Sequence, residues 1–228
     1  MTSMTVAVTK SDSQLKSDVL AELRWDPRVR ETEVGVQVRG GTVTLTGSID
    51  SYAAKLAARE AAHRVLGVLD VADELRVRLP SAWERGDPDV AKGVRDALRQ
   101  DVTVPDDRIT TTVSEGVVTL EGQVDLWSQR ADAERAIERL SGVKGVINRI
   151  AIAPKAVDAA FVKRQIEEAL ERQAEREARR IGVSISDGVV TLTGTVRSWA
   201  ERNAIDRVAG YAQGVRRVDD RLTVDPYS

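Results

Sequence analysis

Three stretches of this chain alternate apolar and polar residues with a period of two, and each doubles back through a short polar pair. Val34, Val36 and Val38 point one way, Arg39-Gly40-Gly41-Thr42 turns the chain, and Val43 and Leu45 alternate with threonines on the return. Two residues able to take positive φ between two such runs predict a β-hairpin. The returning heptad, Gly41-Thr42-Val43-Thr44-Leu45-Thr46-Gly47, comes back as Gly116-Val117-Val118-Thr119-Leu120-Glu121-Gly122 and as Gly188-Val189-Val190-Thr191-Leu192-Thr193-Gly194. Glu115-Gly116 and Asp187-Gly188 are the equivalent turns. Sliding the chain by 75 and by 147 residues superposes the heptads and the hydrophobic positions on both sides without a gap.

Ahead of the first hairpin, Leu15, Val19 and Leu23 recur at the spacing of an amphipathic helix, with Asp12 or Ser13 as its cap and Asp26-Pro27 as its end. Behind it a second helix begins near Asp50, Ser51 and Tyr52 and carries a buried stripe at Ala58, Ala61, Ala62 and Val65. Its equivalents are Ala133, Ala136, Ile137 and Leu140, then Ile205, Val208, Ala209 and Ala212. Gly67, Gly142 and Gly214 stand where a left-handed residue would close that helix. A third strand follows, with Leu75 and Val77 inward, and the strand-helix-strand crossover makes it parallel to the strand before the helix. The pattern therefore predicts an α+β protein of three tandem α-β-β-α-β units, each with two helices on one face of a three-stranded mixed sheet. The expected boundaries are 12–79, 88–154 and 158–226, with 1–11 as a flexible leader.

The third copy departs from the others between Arg172 and Arg180, where Glu168 and Arg172, then Glu175 and Arg179, are spaced four apart with the acid first. Its opening helix is expected to run a turn or two longer. Units of roughly 65 residues bury only about 60% of their unfolded surface, so packing between neighbours is expected, with Trp83 in the first linker a candidate contact.

Composition removes whole classes of chemistry. With 228 residues and no cysteine, the chain offers no disulfide, thiolate nucleophile or cysteine-ligated metal. The lone histidine, His63, aligns with Glu138 and Gly210, so no metal constellation repeats, and it reads as half-exposed filler on the second helix. Lys plus Arg number 34 against 36 Asp plus Glu, with the signs mixed in every unit, which argues against a nucleic-acid partner. No apolar run approaches the roughly 18 residues of a membrane span, and Met1 to Asp12 does not read as a secretory signal. A soluble, cytoplasmic chain is expected. Asp106-Asp107 and Asp219-Asp220 fall in turns or at strand edges, so no pair of acids faces across a cleft as acid–base chemistry requires. Gly142-Val143-Lys144-Gly145 matches a Gly-x-x-Gly nucleic-acid loop but precedes a strand and occurs once, so it reads as a helix stop.

These units resemble the BON domain (bacterial osmotically inducible and nodulation). The resemblance lies in the Gly-Val-Thr-Leu-x-Gly turn and strand and in the closing pattern Gly-Val-x-x-Val-x-Asn/Asp-x-Leu-x-Val. Gly142 to Ile152 and Gly214 to Val224 carry that ending, and the first copy gives Gly67-Val68-Leu69-Asp70-Val71-Ala72-Asp73-Glu74-Leu75-Arg76-Val77. It spans Leu15 to Val224. The resemblance implies a non-catalytic, stress-associated module without a cofactor, which binds phospholipid surfaces or protein partners, in some settings with chaperone-like contacts. It equally implies an alternative, a small-ligand or potassium-type ion sensor.

One constellation stands out as a candidate membrane or partner site. Tyr52, Trp127 and Trp199 occupy one position at the start of the second helix, and Lys55, Arg130 and Arg202 follow three residues later. A cation in a helix's first turn opposes the macrodipole, so helix stability alone does not favour it. An aromatic ring beside a cation suits a lipid headgroup layer. The bland reading has the ring stapling the loop to the core and the cation solvating the helix. Three linked copies would raise a feeble contact through effective concentration. The oligomeric state is left open by the sequence.

Overall fold

The computed structural model describes residues 10–153, 159–173, 181–212 and 214–225, with the side chains of 171–173 left aside. The first unit runs α1 (Asp12–Trp25), β1 (Val34–Arg39), β2 (Thr42–Ile49), α2 (Tyr52–Arg64) and β3 (Asp70–Val77). The second runs α3 (Asp87–Gln100), β4 (Ile109–Ser114), β5 (Val117–Val124), α4 (Trp127–Ile137) and β6 (Gly145–Ile152). The third runs α5 (Ala159–Gln173), β7 (Ile181–Ser186), β8 (Val189–Val196), α6 (Trp199–Tyr211) and β9 (Arg217–Val224). Each sheet holds its hairpin's returning strand in the centre, antiparallel to the strand before it and parallel to the strand after the crossover.

The hairpins turn with positive φ at both central residues: 54° and 80° at Gly40-Gly41, 53° and 80° at Glu115-Gly116, 50° and 73° at Asp187-Gly188. That twist matches the flanking strands, which is why the turn closes in two residues. The heptad's last glycine has a different task. A Cβ on Gly47 or Gly122 would collide with the carbonyl oxygen of Glu33 or Arg108, so only glycine lets the strands approach at that corner.

Each unit has its own apolar core between helices and sheet. Leu45, Leu120 and Leu192 all reach 0% exposure in equivalent surroundings. The cap of α1 differs from expectation. Ser11 is the cap, accepting from the Gln14 amide, while Asp12 reaches across to the hairpin. Its carboxylate accepts from the amides of Gly40 and Gly41 at 2.9 and 3.2 Å, and Asp87 does the same for Glu115 and Gly116 at 2.9 Å each. Lys10 pairs with Asp18 at 2.7 Å and Ser11 caps α1, so these two residues of the expected leader belong to the first helix, and residues 1–9 lie outside the described residues. The predicted extension of α5 beyond Gln173 and the Glu175–Arg179 pair lie outside them as well.

Candidate functional site

The three candidate aromatics are each the first residue of a helix, placed there by the cap before them. Ser51 accepts from the Ala54 amide and Ser198 from the Glu201 amide. The middle unit has Leu126 at that position, and the Gln129 side chain takes over by accepting from the amides of Asp125 and Leu126. A ring fixed at a helix's first position projects off the end of its own unit.

All three rings are half-buried, and each meets the next unit. Trp199 stacks on His63 of the first unit, ring centroids 4.5 Å apart and planes at 14°. Its indole N–H donates to the Leu69 carbonyl at 3.1 Å. Trp127 of the second unit lies on Gly210 of the third, so close that a Cβ there would come within 2.7 Å of the indole. The same ring meets Tyr211 edge-on at 5.6 Å, and Arg135 interacts with the Tyr211 side chain. Tyr52 of the first unit packs against the core of the second, at the backbone of Val146 and beside Glu138. His63, Glu138 and Gly210 are equivalent positions, so one contact is made three times. Unit one docks on two, two on three and three on one, with α2 and α4 each meeting α6. Through these three junctions the chain closes on itself as a ring.

The cations three residues on turn back to their own sheets. Lys55 donates to the Leu75 carbonyl at 2.6 Å and lies 3.4 Å from Asp73. Arg130 donates to the Asn148 carbonyl, and Asn148 returns a bond to the Arg130 carbonyl. Arg202 reaches Asp220 at 2.6 Å while its guanidinium sits 4.6 Å over the Trp199 ring. The strand residue is organised from its other side, since Asp73, Asn148 and Asp220 accept from the amides of Leu75, Ile150 and Leu222. The cation stands in the first helical turn because a strand carbonyl or carboxylate is waiting for it, which offsets the unfavourable helix dipole.

Burial tunes the junction's titratable groups. Burial pulls the His63 imidazole below its ordinary range, with Arg59 adding to the effect. Burial raises Glu138, and Glu134 and Glu60 push it further. Burial likewise raises the Tyr52 phenol, with Glu134 second. The sequence placed the aromatics and cations on one helical turn but did not find their seats. A glycine in the last turn of α6, where the other copies have His63 and Glu138, was the available signal.

Other apolar side chains do face outward. Trp25 is 83% exposed and Val102 98% exposed, and both stand where the chain leaves the first helix of their units. Arg24 precedes Trp25, and Arg99 lies three residues before Val102. A crevice of about 710 Å³ opens between units one and two, where Arg28, Arg30 and Arg139 line it together with Tyr52 and Trp83. Trp83 thus sits at the junction as expected but stays 44% exposed. Among the described residues no cluster of His, Asp and Glu is arranged to hold a metal ion, and no helix is long and apolar enough to cross a membrane.

The BON domain family matches residues 11–78, 86–154 and 158–226. Osmotically-inducible protein Y of Escherichia coli (strain K12) is 31% identical over 141 residues, covering 60% of this chain and 70% of that protein. An uncharacterised protein of Anaplasma centrale is 33% identical over 117 residues, 48% of this chain and 77% of its own. Among solved structures, the C-terminal domain of CdsD, a structural protein of the type III secretion system of Chlamydia trachomatis, aligns over 95% of this chain and 100% of its own. Its identity is 15% and its TM-score 0.26.

Proposed function

The chain belongs to the BON domain family through three tandem copies, and on that premise we propose that it is a non-catalytic protein of the osmotic-stress response that holds phospholipid surfaces. The similarity to an osmotically inducible protein supports the stress setting. The surface reading rests on Trp25 and Val102, among the described residues the two most exposed of the large apolar side chains, which stand beside Arg24 and Arg99 at the same corner of units one and two. An aromatic ring with a neighbouring cation suits the headgroup layer of an anionic bilayer. The corner of unit two offers an apolar side chain, Val102, in place of the ring, and two weak contacts on one chain reinforce each other through effective concentration. In this reading Tyr52, Lys55, Trp127, Arg130, Trp199 and Arg202 serve by fixing the array, and a bilayer meets the corners.

Sedimentation with vesicles containing phosphatidylglycerol tests it. The paired change Trp25→Ala and Val102→Ser is expected to lower the bound fraction at least fivefold while leaving the melting temperature unchanged. Binding by that variant equal to the parent would overturn the reading. If instead Trp127→Ala and Trp199→Ala abolish binding in a protein that stays folded and as compact as the parent, the lipid contact belongs to the helix starts.

A second reading, a small-ligand sensor, is favoured by the crevice between units one and two. Arg28 is held there by Asp26 and Glu60 and Arg30 by Glu33 and Asp50, and Arg139 completes a basic lining that suits a small anion better than potassium. A melting shift that follows the anion, and is the same in potassium and sodium salts, would support it. A shift specific to potassium would point to the ion sensor instead.

A further inference from the structure

Two of the ring's three junctions join units that follow each other in the chain, so short connections hold them together. The third joins Trp199 to Leu69, residues 130 apart, with no connection of its own. It consists of a donor and a seat. The donor is the Trp199 indole with Arg202 above it, and the seat is the His63 ring with the Leu69 carbonyl beside it. Such a contact is heterologous, because the two surfaces that meet are different. A heterologous contact closes a ring when its rotation allows and otherwise runs on from molecule to molecule. Here three units complete the circuit, and every donor finds a seat inside one chain.

We infer that this closing junction can be satisfied by a second copy of the chain, so that the molecule is a closed monomer by default and a head-to-tail assembly once the junction opens. An opened chain exposes a tryptophan whose N–H has lost its acceptor, and at its other end a histidine face and a carbonyl that have lost their donor. The complement of each is present only on another copy. The closed form prevails in dilute solution because the internal donor acts at an effective concentration on the order of millimolar. Association therefore requires that internal closure be blocked, and it does not depend on whether the protein holds lipid.

Complementary variants separate the two halves. Trp199→Ala keeps the seat and lacks the donor, whereas His63→Arg keeps the donor and sets a new cation beside Arg59 of the seat and against Arg202 of the donor. Neither can close and neither can pair with itself. Each alone is expected to run as a monomer with a larger hydrodynamic radius than the parent. An equimolar mixture at roughly 0.5 mM, a concentration comparable with the lost internal one, is expected to give twice the mass of one chain by light scattering. Should His63→Arg lose helical circular dichroism, His63→Ala takes its place. A mixture that stays monomeric at that concentration overturns the inference. So does Trp199→Ala dimerising alone, or remaining as compact as the parent.

Discussion

Units one and three share every strand and helix yet use one position in opposite ways. In unit one, Arg64 at the end of α2 reaches Glu22 at 2.6 Å and Asp26 at 3.0 Å, and Arg28 joins Asp26 at 2.8 Å and Glu60 at 3.0 Å. The two helices are tied by charge. In unit three the residues equivalent to Glu22, Glu60 and Arg64 are Ala169, Arg207 and Tyr211. Among the described residues no such tie forms there, and a groove of about 700 Å³ lies between α5 and α6. Tyr211 turns instead to Trp127 and Arg135 of unit two. A residue that serves its own unit in the first copy serves the neighbour in the third, so unit three is expected to lean on the ring while unit one stands more nearly alone.

The largest test asks whether the two cores are equivalent beneath that difference. Leu45→Ala and Leu192→Ala are each expected to cost about 2–5 kcal/mol by chemical denaturation, because both side chains are fully buried. A cost below about 1 kcal/mol at Leu192 would mean the third core yields where the first does not.

Next in size is the charge tie. Asp26 is 6% exposed, and the hydrogen bond from Arg28 holds its carboxyl far below the usual carboxylate range. Asp26→Ala is expected to cost about 1.5–3 kcal/mol, since charged hydrogen bonds are lost around a buried position. With the folded pKa depressed, the unfolded chain takes up the proton first. The contribution is thus whole at neutral pH and declines as pH falls through the ordinary carboxylate pKa of about 4. Acid titration of stability should show parent and variant converging below about pH 4.

The units were legible in the sequence because a β-hairpin and an amphipathic helix announce themselves locally, as Val43 and Leu45 or Leu15, Val19 and Leu23 do. Contacts between distant residues leave no such period. Asp12, like Ser13, read as a helix cap because a short side-chain acceptor suits that position, whereas Asp12 does its bonding 28 positions away at Gly40. Tyr52, Trp127 and Trp199 were visible as a repeated position, but the residues they rest on, Glu138, Gly210 and His63, share no chemistry. What repeats there is a place and not a residue type, so alignment of the copies hid it.

The hairpin carboxylate offers a smaller test that can run in both directions. Asp12 and Asp87 cap their hairpins, and unit three has Ala159 at that position. Asp87→Ala is expected to cost about 0.5–1.5 kcal/mol, and Ala159→Asp to return a similar amount to unit three. Differential scanning calorimetry reads both. If the Ala159→Asp gain fails to appear while Asp87→Ala costs stability, the start of α5 differs from that of α1 and α3.

The smallest effect sits where unit three meets unit one. His63 is pulled below its ordinary pKa chiefly by burial and next by Arg59, with Arg202 acting in the same direction and Asp70 and Glu60 opposing. The closed ring therefore favours the neutral imidazole, and the opened or unfolded chain binds the proton more readily. Between the ordinary histidine pKa of about 6.5 and the lowered value, stability must fall as pH falls, and below both it stays at the reduced level. Acidifying from pH 7.5 to 5.5 is expected to weaken the stack and change the emission of Trp199. In His63→Phe the ring remains and the charge cannot form, so its emission and melting temperature should respond less to pH than the parent's. An identical loss in both proteins would rule out His63 as its source, and the raised carboxyls of Glu138 and Asp206 would not supply it either, because their protonation in acid acts with the opposite sign.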